Sequence, residues 1–277
     1  MKNSPLAFSL ALSFTLAACP VFGAAIVYSG SGADPASITA VRDLFRVDVG
    51  GGAVAGANGS FGGLRREINW DGVPDALSAP ANLPANFFNA NSPRGVVFAT
   101  PGTGFQVSAN AVLPPIEFGN VNPTYPGIFQ TFSAQRLFAA VGSNIVDVNF
   151  FVAGTATPGA TSAFASIFTD VDLANTTTIE YFSGTTSLGL FSAPVADNGL
   201  SFLGVRFNAG ERVSRVRITS GNAALGPNDG SGVDVVAMDD FLYSEVSVPE
   251  PSTLLLLAAA LLACRVTRNS ADRRIGA

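Results

Sequence analysis

The segment TTIEYFSGTTSLGLFS, from Thr177 to Ser192, carries the clearest fold signal in this sequence. It consists of two short runs rich in β-branched, aromatic and aliphatic residues, separated by Ser183-Gly184-Thr185. Glycine adopts the left-handed backbone conformation of a tight turn without steric cost, so this arrangement predicts a β-hairpin.

Short runs of the same kind recur along the chain. In VSRVRITS (213–220), Val216 and Ile218 alternate with Arg215 and Arg217, a pattern typical of a strand buried on one face. The predicted strands cover residues 95–100, 104–109, 136–141, 145–153, 163–171, 177–182, 188–192, 200–207, 213–219 and 233–246. This spacing predicts an all-β fold, an antiparallel β-sandwich or jelly roll in one domain.

One short N-terminal helix is predicted before these strands, from Pro35 to about Val47. Asp34 is a suitable N-cap and Pro35 a suitable first residue, and apolar residues then recur at helical spacing. The glycine-rich segment Gly50–Gly63 ends the helix and is predicted to be a flexible loop. No Lys-Ser/Thr pair follows it, so it lacks the pattern of a phosphate-binding loop.

Composition excludes several classes of function. Hydrophobic residues make up 48% of the chain, which is enough to build a core. Between residues 25 and 249, 10 Arg stand against 18 Asp and Glu, and this net charge of −8 disfavours nucleic-acid binding. The chain has no His, and its two Cys lie in the terminal apolar runs, which excludes His-based catalysis and a disulfide framework.

Residues 1–24 have the pattern of a signal peptide. Met1-Lys2 is followed by the apolar run Leu6–Ala18 and by small residues that predict cleavage by signal peptidase near Gly23-Ala24. Leu16–Cys19 also has the pattern of a lipobox, so lipidation of Cys19 is an open alternative.

Residues 248–277 combine three features that point to protein sorting. Pro249-Glu250-Pro251 precedes an uninterrupted apolar run, Leu254–Ala263, which reaches 13 residues if extended to Val266, and an arginine-containing end follows. As a helix the run would span about 20 Å, whereas the hydrocarbon core of a bilayer is about 30 Å thick, so a transient membrane segment is favoured over a permanent anchor. This order of features resembles the PEP-CTERM sorting signals. The resemblance implies an inner-membrane intermediate, processing by an exosortase near the tripeptide, and delivery to the cell surface or extracellular matrix. An ordinary C-terminal anchor is the alternative.

The body of the chain also resembles a recurring ectodomain of PEP-CTERM proteins, to which no activity is assigned. Three segments carry this likeness: Arg65–Gly72, Phe168–Asp172 and Val236–Phe241. The last of them, with Asp239-Asp240-Phe241, also resembles the closing strand of several carbohydrate-binding jelly rolls.

Three acidic pairs are candidate metal or structural carboxylates: Asp71 with Asp75, Asp170 with Asp172, and Asp239 with Asp240. Adjacent residues of an extended strand point to opposite faces, so one member of the Asp239–Asp240 pair is predicted to be buried. A buried carboxylate needs a partner, for which Arg65, Arg66 and Ca²⁺ are the candidates. The alternative for all three pairs is turns and surface salt bridges. The loop 228–234 is rich in oxygen ligands but does not match EF-hand spacing.

Trp70 is a candidate platform for stacking on a sugar ring, together with one of three tyrosines: Tyr125, Tyr181 and Tyr243. The alternative is that Trp70 belongs to the core. Glycoside hydrolysis by two carboxylates needs no His, but no acidic pair is marked for it.

The sequence therefore predicts a signal peptide (1–24), a β-sandwich ectodomain (25–247) and a sorting signal (248–277). The expected function is that of an exported, non-catalytic surface or matrix protein with polysaccharide as its candidate ligand. A purely structural matrix protein and a carbohydrate-active enzyme using Asp or Glu are the alternatives.

Overall fold

The computed structural model describes residues 24–109 and 116–248. Residues 1–23 of the predicted signal peptide, which include Cys19 and Gly23, and the sorting signal from Pro249 onward lie outside the described residues. Within that range the chain forms two antiparallel sheets and one helix of fifteen residues. The prediction of an antiparallel all-β body with one short N-terminal helix is confirmed at this level.

The helices are α1 (Pro35–Val49) and the single turn α2 (Phe87–Ala90). The strands are β1 (Ile26–Gly32), β2 (Ser60–Phe61), β3 (Arg65–Ile68), β4 (Val96–Ala99), β5 (Gly104–Val107), β6 (Phe138–Val141), β7 (Ile145–Phe150), β8 (Ala163–Val171), β9 (Thr178–Ser183), β10 (Thr186–Ser192), β11 (Ala196–Arg206), β12 (Arg215–Thr219) and β13 (Ala237–Ser244).

The larger sheet has the order β1-β11-β8-β13-β3-β2, and β6 joins it by pairing with β13 and β5. The smaller sheet has the order β10-β9-β12-β7-β4. The two sheets pack face to face through a common core, to which both contribute apolar side chains. Val216 and Ile218 are fully buried in this core, while Arg215 and Arg217 lie on the outer face and bind Asp147, as the alternation predicted.

The larger sheet is covered on its other face as well. Helix α1 packs Ile38 and Phe45 against β8 and β11, and the segment 116–129 covers the region around β6. As a result, every residue of β8 is buried. Covering on both faces explains why apolar residues of β8 do not alternate strictly with polar ones.

Local signals predicted the helix and the hairpin. Asp34 caps α1 by accepting a 2.9 Å hydrogen bond from the backbone N–H of Ser37, and Gly50 ends the helix with φ of 92°. The helix extends two residues beyond the predicted end. β9 and β10 form the predicted hairpin, with Gly184 at φ of 59° in its turn.

Other details of the fold differ from the predictions. Each predicted strand overlaps an observed one, but β1, β2 and β3 were not predicted. The Gly50–Gly63 segment is not uniformly a loop: it contains a helical turn at Ala57–Gly59 and strand β2, whose Phe61 is buried. None of the helices in the described part of the chain is both long enough and apolar enough to span a bilayer.

Candidate functional site

Trp70 lies in the core and has no exposed surface. Its ring stacks on Phe138 with 4.2 Å between centroids, and its Nε1–H donates a 2.8 Å hydrogen bond to the backbone oxygen of Asp239. Three tyrosines considered as its companions are also buried: Tyr125, Tyr181 and Tyr243. The prediction that Trp70 stacks on a sugar is therefore wrong, because a ring without exposed surface cannot contact a ligand.

Asp239 and Asp240 are both buried, whereas the sequence predicted that only one would be. An irregularity in the pairing of β13 with β8, between Met238 and Phe241, breaks the simple alternation of faces. Asp239 accepts a 2.5 Å hydrogen bond from the backbone N–H of Phe132. The Ser133 hydroxyl lies 2.9 Å from Asp240 Oδ1 and 3.2 Å from Asp239 Oδ1.

The arginines predicted as partners of this pair bind elsewhere. Arg65 pairs with Glu67 and Arg66 pairs with Glu245, each at 2.7 Å. Burial and the charge of Asp240 raise the pKa of Asp239 well above its usual range, and burial raises the pKa of Asp240 to about 6. Both members of the pair are bound by protein donors. Ca²⁺ at these two residues stays an untested prediction.

Asp71 joins the same network from the other side. Its Oδ1 accepts hydrogen bonds from the backbone N–H groups of Gln135 and of Arg136, the latter at 2.9 Å. Asp71, Asp239 and Asp240 therefore bind the segment 132–136, and Trp70 binds the backbone of Asp239. The structure thus brings together four of the residues nominated from the sequence, and the three carboxylates among them position this segment.

An open cleft lies beside this network, between α1, the glycine-rich loop and the segment 132–133. It consists of two adjoining cavities of about 490 and 550 Å³, which share Arg42 and Arg46. We call it the α1 cleft. Its chemically important lining residues are Arg42, Arg46, Glu67, Arg94, Phe132 and Asp240. Volumes of this size and a mixed polar and aromatic lining are typical of small-molecule sites.

The arginines of the α1 cleft differ in how well they are paired. Arg46 binds both carboxylate oxygens of Glu67, at 2.8 and 2.6 Å, and Arg65 binds Glu67 as well. Arg42 lies over the ring of Phe132, with 4.7 Å from Cζ to the ring centroid. Its Nε is 2.8 Å from Asp43 Oδ1, but no acceptor is aligned with the N–H. Burial and then the charge of Arg46 lower the pKa of Arg42.

Sequence reasoning did not identify this cleft. Arg42 and Arg46 are four residues apart on one helix, so their sharing of a face could have been recognised. Phe132 and Glu67 carry no such signal, because they reach the cleft only through the tertiary fold.

A second group of carboxylates lies at the end of β8. Oxygens of Asp170, Asp172 and Asp229 lie within 4.8 Å of one another, so the predicted Asp170–Asp172 pair gains a third member from the loop 228–234. Burial raises the pKa of Asp170 to about 7 and that of Asp172 to about 6, and repulsion from neighbouring carboxylates adds to both shifts. Of the described residues these are the ones that could share a cation, and oxygen ligands of this kind suit Ca²⁺.

Comparison with known proteins connects the body to no characterised function, since no curated protein and no solved structure matches the chain. Residues 247–274, however, match the family model described as the PEP-CTERM protein-sorting motif. The match includes Pro249-Glu250-Pro251 and the apolar run that follows. The likeness of the body to a recurring PEP-CTERM ectodomain stays a prediction. The chain therefore carries a PEP-CTERM protein-sorting motif at residues 247–274, which confirms the resemblance of the C-terminal segment.

Proposed function

We propose that this protein is exported, processed by an exosortase and delivered to the cell surface or extracellular matrix, where its β-rich body binds polysaccharide without catalysis. The observation that carries the proposal is the match of residues 247–274 to the sorting motif, which implies processing by exosortase and an extracellular location. The predicted signal peptide at residues 1–24 and the net charge of −8 between residues 25 and 249 are consistent with this route.

Sorting follows from the chemistry of the C-terminal segment. The run Leu254–Val266 is too short to be a stable anchor, so it serves as a transient membrane segment that presents the tripeptide to the exosortase. The arginines after the run stay on the cytoplasmic side. Cleavage near Pro249-Glu250-Pro251 then separates the body from the membrane.

Polysaccharide binding is assigned to the α1 cleft. It offers an aromatic side chain, Phe132, together with hydrogen-bonding groups such as the Arg42 guanidinium and the Ser133 hydroxyl. This combination is what a sugar ring with several hydroxyls requires. The second candidate is a matrix protein without a ligand, but such a protein would have no need for a cleft with this lining.

The cleft also contains two carboxylates, Glu67 and Asp240, which makes a glycoside hydrolase the third candidate. Glu67, however, has both oxygens bound by Arg46, and Arg65 binds one of them too. Asp240 is 95% buried and is bound by Ser133. Catalytic carboxylates must reach the glycosidic bond and water, so these contacts favour binding over hydrolysis.

The sorting step predicts the C-terminus of the mature protein. Mass spectrometry of the form recovered outside the cell should find its last residue near Pro249-Glu250-Pro251. Replacing both prolines by alanine should leave the tail attached and move the protein to the membrane fraction. Pro194→Ala, a proline change elsewhere in the body, should be processed as in the unmodified protein. Recovery of peptides containing Arg273-Arg274 from the extracellular form would contradict this mechanism.

A further inference from the structure

We propose that the α1 cleft selects an anionic saccharide, a pyranose bearing a carboxylate or sulfate, and that Arg42 binds the anionic group. This inference rests on the proposed polysaccharide binding and names the chemical class of the ligand. It is independent of how the protein is sorted.

The charge of the cleft is opposite to that of the body around it. Four of the ten arginines between residues 25 and 249 line the two cavities: Arg42, Arg46, Arg65 and Arg94. Three acidic residues accompany them: Asp43, Glu67 and Asp240. The cleft thus has a net charge of +1 within a body whose net charge is −8. Such a site attracts anions and disfavours cations.

Arg42 is the guanidinium that remains available to a ligand. Arg46 and Arg65 are used by Glu67, and Arg65 also donates to the backbone oxygen of Gly50. Only 13% of the Arg42 side chain is exposed, and it makes no aligned hydrogen bond to another described residue. Asp43 Oδ1 lies 2.8 Å from Nε but is not aligned with its N–H, and leaving donors of a largely buried guanidinium without aligned acceptors is unfavourable. A carboxylate or sulfate supplies two oxygens that match its planar fork.

Phe132 orients the Arg42 guanidinium and provides an apolar surface for the sugar. Its ring lies beneath the Arg42 guanidinium, which restrains the plane of the donor fork. Part of the Phe132 side chain is exposed toward the cleft, where it can contact the apolar face of a pyranose.

The opposite side of the cleft suits hydroxyl groups. Ser133 and Asn69 are joined there by a 2.9 Å hydrogen bond, and Asp240 accepts from Ser133. Burial raises the pKa of Asp240 to about 6, so at pH 7 it is mainly an acceptor. The partly exposed side chains of Ser133 and Asn69 would bind sugar hydroxyls, and the charge of Asp240 behind them would repel a second anion, which defines the orientation of the ligand.

Titration calorimetry with the full-length protein tests this inference. Three probes are compared at equal concentration: an oligouronate, a sulfated oligoglucan and the neutral oligoglucan of the same length. At least one anionic probe should bind ten times or more tightly than the neutral one, and the two anionic probes separate carboxylate from sulfate recognition. Arg42→Gln should weaken anionic binding at least tenfold. Arg217→Gln, the same change on the outer face of the smaller sheet, should leave it unchanged.

Arg42→Lys is the second variant, because it keeps the charge and loses the fork, and it should bind with intermediate affinity. Thermal melting confirms that each variant is folded. Equal binding of neutral and anionic probes, or full binding by folded Arg42→Gln or Arg42→Lys, overturns the anionic site while polysaccharide binding stands. Binding of none of the three probes overturns both binding proposals. The C-terminus found by mass spectrometry tests sorting separately, so a failure of the sorting proposal is not confused with a failure of either binding proposal.

Discussion

Replacing Trp70 by alanine is expected to destabilise the protein by about 3–5 kcal/mol, the usual range for truncating a fully buried Trp or Phe. The ring stacks on Phe138 and meets Phe88 and Phe241 edge-on, with centroids 5.4 and 5.1 Å away. Alanine would leave a cavity among these rings and would remove the donor to the Asp239 backbone oxygen. The loss is a large share of the roughly 5–15 kcal/mol that stabilises a typical domain.

Equilibrium unfolding in urea measures this effect as a lower midpoint at an unchanged slope. Trp70→Phe should lose less, because it keeps a stacked ring and loses mainly the hydrogen bond. Leu44→Ala on α1 is the control, since Leu44 is 54% exposed and should change stability by no more than about 0.5 kcal/mol. If Trp70→Ala and Leu44→Ala gave the same midpoint, the core packing described here would be wrong.

The second large effect expected is a loss of stability as the pH rises from 5 to 8. Six buried or partly buried carboxyl groups of the described residues have raised pKa values: about 7 for Asp170 and Glu117, about 6 for Asp172 and Asp240, well above the usual range for Asp239, and above the usual value for Asp229. In the unfolded chain such groups titrate near pH 4. Between the two pKa values the folded state holds more protons, so raising the pH favours unfolding, and the stabilisation is complete below about pH 4.

The carboxylate of Asp147 behaves in the opposite way but outside this window. Burial alone would raise the pKa of Asp147, but hydrogen bonds from Arg217 and Arg215 lower it below its usual value. The stability that Asp147 contributes is therefore lost only when the pH falls through this lowered pKa. Thermal melting should therefore give a higher midpoint at pH 5 than at pH 8. A difference of about 2 kcal/mol corresponds to roughly 4–8 °C in a domain of this size.

Asp170→Asn tests the origin of this pH dependence. The amide removes the buried charge and keeps an oxygen that can accept from the Asn198 backbone N–H, which lies 2.8 Å from Oδ1. The variant should melt higher than the unmodified protein at pH 8 and should show a weaker pH dependence. Glu180→Gln, on the smaller sheet, is the matched control. A melting temperature that rises with pH between 5 and 8 would contradict the raised pKa values of these carboxyl groups.

Much of the fold could be predicted because the relevant signals are local. Asp34 and Pro35 mark the start of α1 within a few residues, and Gly184 marks the hairpin turn. Strand β1 was missed because its sequence, IVYSGSG, is rich in Ser and Gly and has only one buried residue. It is a strand through its pairing with β11, which no local pattern reveals.

The candidate site was predicted only in part, because its residues are brought together by contacts between distant parts of the chain. The acidic pair in β13 could be picked out from its apolar context, but its irregular pairing with β8 buries both carboxylates. The α1 cleft combines Arg42 on the helix with Phe132, which lies ninety residues further along the chain. The proximity of these two side chains depends on the tertiary structure and leaves no local pattern in the sequence.

The last strand has a mechanical consequence for the form of the protein that is still held by its C-terminal segment, before cleavage. β13 lies inside the larger sheet, between β8 and β3, and backbone hydrogen bonds continue past it as far as Ser247, which exchanges two with Ala160. Ser247 is two residues before Pro249, so at most about 7 Å of chain separates the tripeptide from the sheet. A pulling force applied there acts along β13 and loads its hydrogen bonds in shear, all at once, rather than opening them one by one from an edge.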